Sequence, residues 1–199
     1  MKIRLVLASW AVIAAGAYFA GIGMAEDEPA APEQPSEEAM MKEMLALGEP
    51  GEPHAEFKAF VGEWSGKATM YMNGESATSD ASISNELTLG GRFLRRRYKG
   101  TMADMPFLGV GILGYDNYKK EYQSLWLDSM SSNMYTSKGQ KLEDGKTISV
   151  SGVWDGPMGA IKMRHAMRMT GPDTYMETGY MMQGEQEVKT MEIEFTRVK

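Results

Sequence analysis

From residue 62 onward, apolar and polar side chains alternate in short runs. Trp64, Gly66, Ala68, Met70 and Met72 fall on one side of a strand, opposite Ser65, Lys67, Thr69 and Tyr71. Ile161, Met163, His165, Met167 and Met169 do the same against Lys162, Arg164, Arg168 and Thr170. A period of two marks β-strands with one face on a core, and the apolar set faces inward. Turn formers punctuate the runs: Gly90-Gly91, Asp116-Asn117, Glu143 to Lys146, Asp155-Gly156-Pro157 and Gly171-Pro172-Asp173. The pattern predicts strands over 63–73, 77–89, 92–101, 107–115, 121–129, 133–141, 147–154, 160–170, 174–183 and 187–198. Short loops imply antiparallel neighbours, so the expected fold is all-β: a closed up-and-down barrel of about eight to ten strands. Closure requires the first strand, opening Gly62-Glu63-Trp64, to pair with the last, Met191 to Arg197, which brings Trp64 to Arg197. Gly109, Gly111 and Gly114 within one strand predict bends or a close approach of another group to the backbone.

Ahead of the barrel, residues 36–61 read as a helical segment. Ser36 suits an N-cap, Glu37 and Glu38 suit the positive end of a helix, and Gly48 with Pro50 makes a stop. Met40, Met41, Met44, Leu45 and Leu47 form a stripe expected to dock on the barrel; the sharper alternative is that it gates a cavity or meets a partner. A second short helix is expected from Pro53 to about Phe60, with Phe57, Phe60 and Val61 buried and Gly62 ending it.

Residues 26–35 are acidic, rich in proline and without a large apolar side chain, which describes a solvated tether. Residues 1–25 read as a signal peptide: Lys2 and Arg4 precede an uncharged run from Leu5 to Ile22, and Gly23-Met24-Ala25 ends it, with cleavage expected after Ala25. The 18-residue run also reaches the lower limit for a membrane span, so an uncleaved inner-membrane anchor is the alternative. The expected location is periplasmic or secreted, with a membrane contact only if that segment is retained.

The chain has no cysteine, which excludes disulfides, thiolate metal ligands and a lipidated cysteine. Residues 26–53 carry nine carboxylates and one lysine, whereas residues 54–199 carry 18 acidic and 18 basic side chains. The acidity thus belongs to the tether, and a neutral barrel offers no footprint for nucleic acid.

Gly51-Glu52-Pro53-His54, Gly62-Glu63-Trp64, Gly90 to Leu94, Gly109-Val110-Gly111, Leu113 to Asp116, Trp126 to Met130 and the closing Met191 to Arg197, taken in order, resemble the bacterial family called domain of unknown function 1579. The resemblance spans roughly residues 40–199. It implies a lipocalin-like or fatty-acid-binding-protein-like barrel, often behind a signal peptide, and brings no catalytic residue. A thinner likeness to lipocalins rests on Gly62-x-Trp64 and Arg197 and implies that Arg197 lies across the Trp64 ring as a structural brace.

Candidate chemistry is sparse. His165, inward among thioethers, is expected to bond Tyr180 or Glu177 on the next strand; the alternative is an axial haem ligand or a soft copper site. The 19 methionines read as adaptable lining or plain core, because residues at i and i+2 on a strand suit packing better than chelation. On the strand from Glu121 to Ser129 either face reads as internal; Trp126 and Asp128, if inside, would give an aromatic wall with one carboxylate to anchor a ligand, and the alternative is an Asp128 near the barrel mouth bonded to backbone at the following turn. Arg92 and Arg96 share a face with Leu94 and Tyr98, and an inward arginine needs an inward partner such as Glu177 or Asp128. Neither His54 nor His165 has the oriented partners of a hydrolase, and no catalytic constellation or cofactor is called for.

The sequence thus predicts an exported, non-enzymatic binding protein for a small apolar or amphipathic ligand. The expected lining is Met70, Trp126, Asp128, Met163, His165, Met167 and Tyr180, with Trp64 and Arg197 closing the barrel. The alternatives are a filled barrel acting as an envelope-associated interaction module, and a haem or copper protein built on His165.

Overall fold

The computed structural model describes residues 35–157 and 159–199. The signal peptide expected over 1–25 and nearly all of the tether over 26–35 lie outside the described residues. Ten antiparallel strands follow one another around a closed barrel: β1 (Gly62–Met72), β2 (Glu75–Thr88), β3 (Phe93–Met102), β4 (Met105–Asp116), β5 (Glu121–Asp128), β6 (Tyr135–Lys141), β7 (Thr147–Gly156), β8 (Gly159–Gly171), β9 (Thr174–Gln183) and β10 (Gln186–Arg197). Each strand pairs with its sequence neighbours, and β1 pairs with β10, so no ladder is left open. Alternation and turn chemistry located every strand to within a residue or two.

The barrel closes as the sequence implied, with Trp64 opposite Arg197 in the β1–β10 ladder. The Arg197 guanidinium lies 4.0 Å from the Trp64 ring centroid. It also donates to the carbonyls of Val61 and Ala59 and pairs with Asp173 at 3.0 Å. Arg197 therefore fastens the last strand to the segment that precedes the first.

That segment caps one end of the barrel. Helix α1 (Glu37–Gly48) comes first, then a single turn, α2 (Glu52–Ala55), which tightens into a 3-10 helix over Glu56–Phe60. Proline at the start of α2 is compatible with its unsatisfied first-turn donors. Phe57 and Phe60 are almost wholly buried, and Phe60 meets Tyr175 edge-on at 5.4 Å. Trp64 Nε1 and Asn85 Nδ2 both donate to the Phe60 carbonyl, at 2.9 and 3.0 Å, which satisfies a backbone acceptor at the end of the 3-10 helix. His54 is buried between Phe57 and Tyr115, and its Nδ1 accepts from the Gly51 N–H at 3.1 Å. It is a packing residue of the cap.

The apolar stripe of α1 does not dock on the barrel. No residue of this helix is buried, and Met40, Met41, Met44 and Leu45 are 48–64% exposed. Its C-terminal end is held: Asn117 Nδ2 donates to the carbonyls of Leu47 and Glu49, both at 2.8 Å, and Arg92 Nε donates to that of Gly48 at 2.7 Å. These bonds fix the last turn and leave the stripe uncovered. Arg92 is accordingly a surface tie at the capped end rather than an inward cation.

Candidate functional site

The register of the ten strands fixes which side chains face inward. Across the barrel they form two zones. At the capped end Trp64, Ile83, Leu94, Leu113, Tyr122, Ile148, Met167, Tyr175 and Phe195 are buried to within a few per cent. Aromatic rings interlock there: Trp64 meets Tyr175 edge-on at 4.7 Å and Tyr175 stacks on Phe195 at 4.8 Å. Toward the opposite mouth, the inward side chains Met70, Tyr98, Trp126, Asp128, Met163, His165, Met181 and Met191 all keep partial solvent access. The inward face is therefore buried toward the cap and partly solvent-accessible toward the opposite mouth.

An ion pair marks the boundary. Arg96 on β3 reaches across to Glu177 on β9, and their side chains are 13% and 16% exposed. The sequence had set inward Arg96 with inward Glu177 as the ordinary way to neutralise a buried cation, and this is the arrangement found. Arg96 Nε is buried with no hydrogen-bond partner among the described residues. Tyr98, above it, has its hydroxyl pushed up to about 12, first by burial and then by the Glu177 charge. It is a neutral hydrogen-bonding group at any physiological pH.

Trp126 and Asp128 point inward, which settles the face of β5. Trp126 Nε1 donates to Asp128 Oδ2 at 3.1 Å, and Asp128 Oδ1 accepts from the Met130 N–H at 2.9 Å. The indole lies flat against β4, where Gly111 and Gly109 are its cross-strand neighbours. A Cβ placed on Gly109 would come within 2.3 Å of the indole ring, so glycine there is a condition for the Trp126 wall. The close approach expected of these glycines is thus made by a side chain.

His165 on β8 sits between Val150 of β7 and Gly179 of β9. Its ring meets Tyr135 edge-on at 5.8 Å. A Cβ on Gly179 would stand 3.6 Å from His165 Cε1 and 3.3 Å from Met191 Cβ, so Gly179 leaves these two side chains the same gap in the wall. Burial, and after it the charges of Arg96 and Arg164, lower the imidazole to about 4, which makes it neutral at pH 7.

Three expectations for this site need correction. Tyr180 is not part of the lining. It stands on the outer face of β9 beneath Arg164, whose guanidinium lies 4.0 Å from the ring and forms a two-pronged bond to Glu187 at 2.7 Å. The reason is register: an irregularity between Met169 and Gly171 precedes the turn, and it sets Gly179 rather than Tyr180 opposite His165. His165 therefore bonds neither suggested partner, since Glu177 is taken by Arg96. Met167, also expected in the lining, belongs to the filled zone, whereas Met70 and Met163 face the open one. The chamber further includes Tyr98, Tyr135, Met181 and Met191, which the sequence alone did not single out; their strand parity would have identified them once one inward residue per strand was known.

A cleft of about 460 Å³ lies at the capped end among Phe60, Lys141, Ile148 and Met169. There Lys141 pairs with Glu56 at 2.6 Å and Glu56 also accepts from Tyr122 at 3.2 Å, which ties the cap to the barrel, while Lys146 also lines the cleft.

No curated protein matches this chain. Among solved structures, Rv2717c from M. tuberculosis superposes with a TM-score of 0.55 at 12% identity, covering 76% of this chain and 100% of the other. The S-type phycobiliprotein lyase CPES from Guillardia theta gives 0.53 at 14% identity, covering 74% and 93%. At such identities the likeness speaks for the barrel alone. The family profile described as "Protein of unknown function (DUF1579)" matches residues 49–197, most of the chain and all ten strands, and the protein belongs to that family.

Proposed function

We propose that this is an exported, non-enzymatic binding protein that holds a small apolar or amphipathic molecule in the open half of its barrel. One observation carries the reading: inward side chains lose almost all exposure at the capped end, whereas Met70, Tyr98, Trp126, Asp128, Met163, His165, Met181 and Met191 toward the mouth keep part of theirs, with Tyr135 and Val150 buried among them. A barrel serving only as a scaffold has no need of that difference. The walls are thioether and aromatic, which suits an apolar body of variable shape. The floor sets the head group. Arg96 is answered by Glu177, Asp128 by two donors, and His165 is neutral, so an uncharged polar head that exchanges hydrogen bonds with His165 and Tyr98 fits better than an anion. Structural likeness to a phycobiliprotein lyase is compatible with small-molecule binding on this fold. Export rests on residues 1–25 and is tested by sequencing the N-terminus of the native protein, which should begin at Glu26.

The ligand reading is tested by extracting the natively purified protein for bound lipophiles and by titrating an apolar fluorescent probe. Saturable, displaceable binding is expected, weakened about tenfold or more in Trp126→Ala, which removes one wall. Absence of any extractable ligand together with non-saturable probe binding refutes the chamber. A haem or copper centre is the second reading, favoured by the neutral imidazole of His165 facing the chamber. It requires an absorption change on haem or copper addition that His165→Ala abolishes.

A further inference from the structure

The stripe on α1 has a match elsewhere on the molecule. On the outer face of the barrel, Leu108 and Val110 of β4 and Leu127 of β5 are 54%, 40% and 36% exposed, and Val110 and Leu127 are direct cross-strand partners. A hydrophobic column two strands wide is about 10 Å across, the width of one helix. Cations flank it. On β3, Arg97 and Lys99 lie directly opposite Val110 and Leu108, and on the other side Lys138 of β6 pairs with Gln123, four residues along β5 from Leu127. All three are exposed, and none has an ion-pair partner among the described residues.

Helix α1 carries the complementary pattern. Met40, Met41, Met44 and Leu45 form its apolar stripe, with Glu38 on one flank and Glu43 on the other at 100° per residue, and Glu37 heads the stripe in the first turn. A 12-residue helix is marginal in isolation, so its stability calls for a surface against that stripe. Its own barrel does not supply one, because the bonds from Asn117 and Arg92 to the Leu47, Gly48 and Glu49 carbonyls hold the last turn where it leaves both the stripe and the β4–β5 column uncovered.

We propose that α1 of one copy lies on the outer β4–β5 face of a second copy, and reciprocally, in a two-fold dimer. The apolar stripe covers Leu108, Val110 and Leu127, and the flanking glutamates face Arg97, Lys99 and Lys138. Two-fold symmetry makes both contacts at once, doubling the area buried for one association. The chamber mouths stay open.

Sedimentation of the purified protein over a range of concentrations tests this. The wild type is expected to dimerise reversibly. Val110→Glu on the sheet face and Leu45→Glu on the helix should each weaken association at least tenfold while leaving the thermal midpoint of the barrel unchanged, since both positions are exposed. An equimolar mixture of the two variants retains one intact contact and should associate more tightly than either variant alone. Raising the salt concentration should weaken the wild-type dimer. A wild type that stays monomeric at every concentration, or a dimer that neither substitution affects, overturns the proposal. So does a monomer whose Leu45→Glu form loses binding to phospholipid vesicles, because the stripe would then serve a membrane.

Discussion

The two halves of the barrel interior are built from the same ten strands and the same alternation, yet they solve different problems. In the capped half, aromatic rings from β1, β9 and β10 interlock with Phe57 and Phe60 below them, and the buried polar atoms of Trp64 and Asn85 converge on one carbonyl. In the open half, small residues take the wall positions: Gly109 and Gly111 under Trp126, and Gly179 beside His165. Polar groups there are paired with one another rather than with the cap. The contrast separates a packed half from a partly solvated half along the barrel axis, with the Arg96–Glu177 pair as the divide, and the proposed function assigns the ligand to the second.

Substitution should expose that division most strongly at the bottom. Trp64→Ala removes a fully buried indole and should cost about 3–5 kcal/mol in denaturant unfolding, whereas Trp126→Ala should cost clearly less and act on probe affinity instead. Equal losses would mean that the two zones are one core. At the divide, Arg96→Met leaves Glu177 buried without its partner and should destabilise by about 3 kcal/mol or more; the double variant with Glu177→Leu should recover most of it. Failure of the second substitution to rescue the first would show that the pair is not coupled.

Acidification probes the open half. The His165 imidazole is lowered from 6.5 to about 4 in the folded chain, so between those values the unfolded chain takes up a proton that the folded chain refuses. The stability it protects is fully present above pH 6.5 and is lost as pH falls toward 4, an effect of order 2 kcal/mol. Comparing unfolding at pH 7 and pH 4.5 in the wild type and in His165→Gln isolates it, since other groups titrate in both. A wild type that loses no more than the variant would place His165 in water. The smallest effect is expected of Gly109→Ala, whose methyl pushes Trp126 off its wall: about 1–2 kcal/mol in stability, with a measurable loss of probe binding. If binding is unchanged, Trp126 is not a wall of the site.

The fold was legible because one face of most strands is consistently apolar and turn residues separate the strands. The site was legible only where that rule has a single solution. On β8 every second residue is apolar from Ile161 to Met169, so His165 had to face inward. On β5 both faces mix apolar and polar residues, and Leu125 and Leu127 turned out to belong to the exposed side because of the register with β4. Tyr180 was misplaced because an irregularity near Gly171 changes which residue of β9 faces His165, and no period along one strand records pairing across a turn. The α1 helix itself was legible, but its stripe was expected on the barrel and lies exposed, because a helical period does not name the surface it covers.

Arg197 gives the barrel an order of assembly. Its bonds to the Ala59 and Val61 carbonyls join groups 138 and 136 positions apart, and the same side chain completes the β1–β10 seam. Nine hairpin-like pairings can zip from local contacts as the chain emerges, but the seam and the cap wait for β10. Closing so long a loop is slow, and until it happens β1 and β10 are both bare edges. A chain threaded outward through a membrane from its N-terminus would thus carry those edges apart through the whole passage, and would become a closed container only after its last strand had crossed.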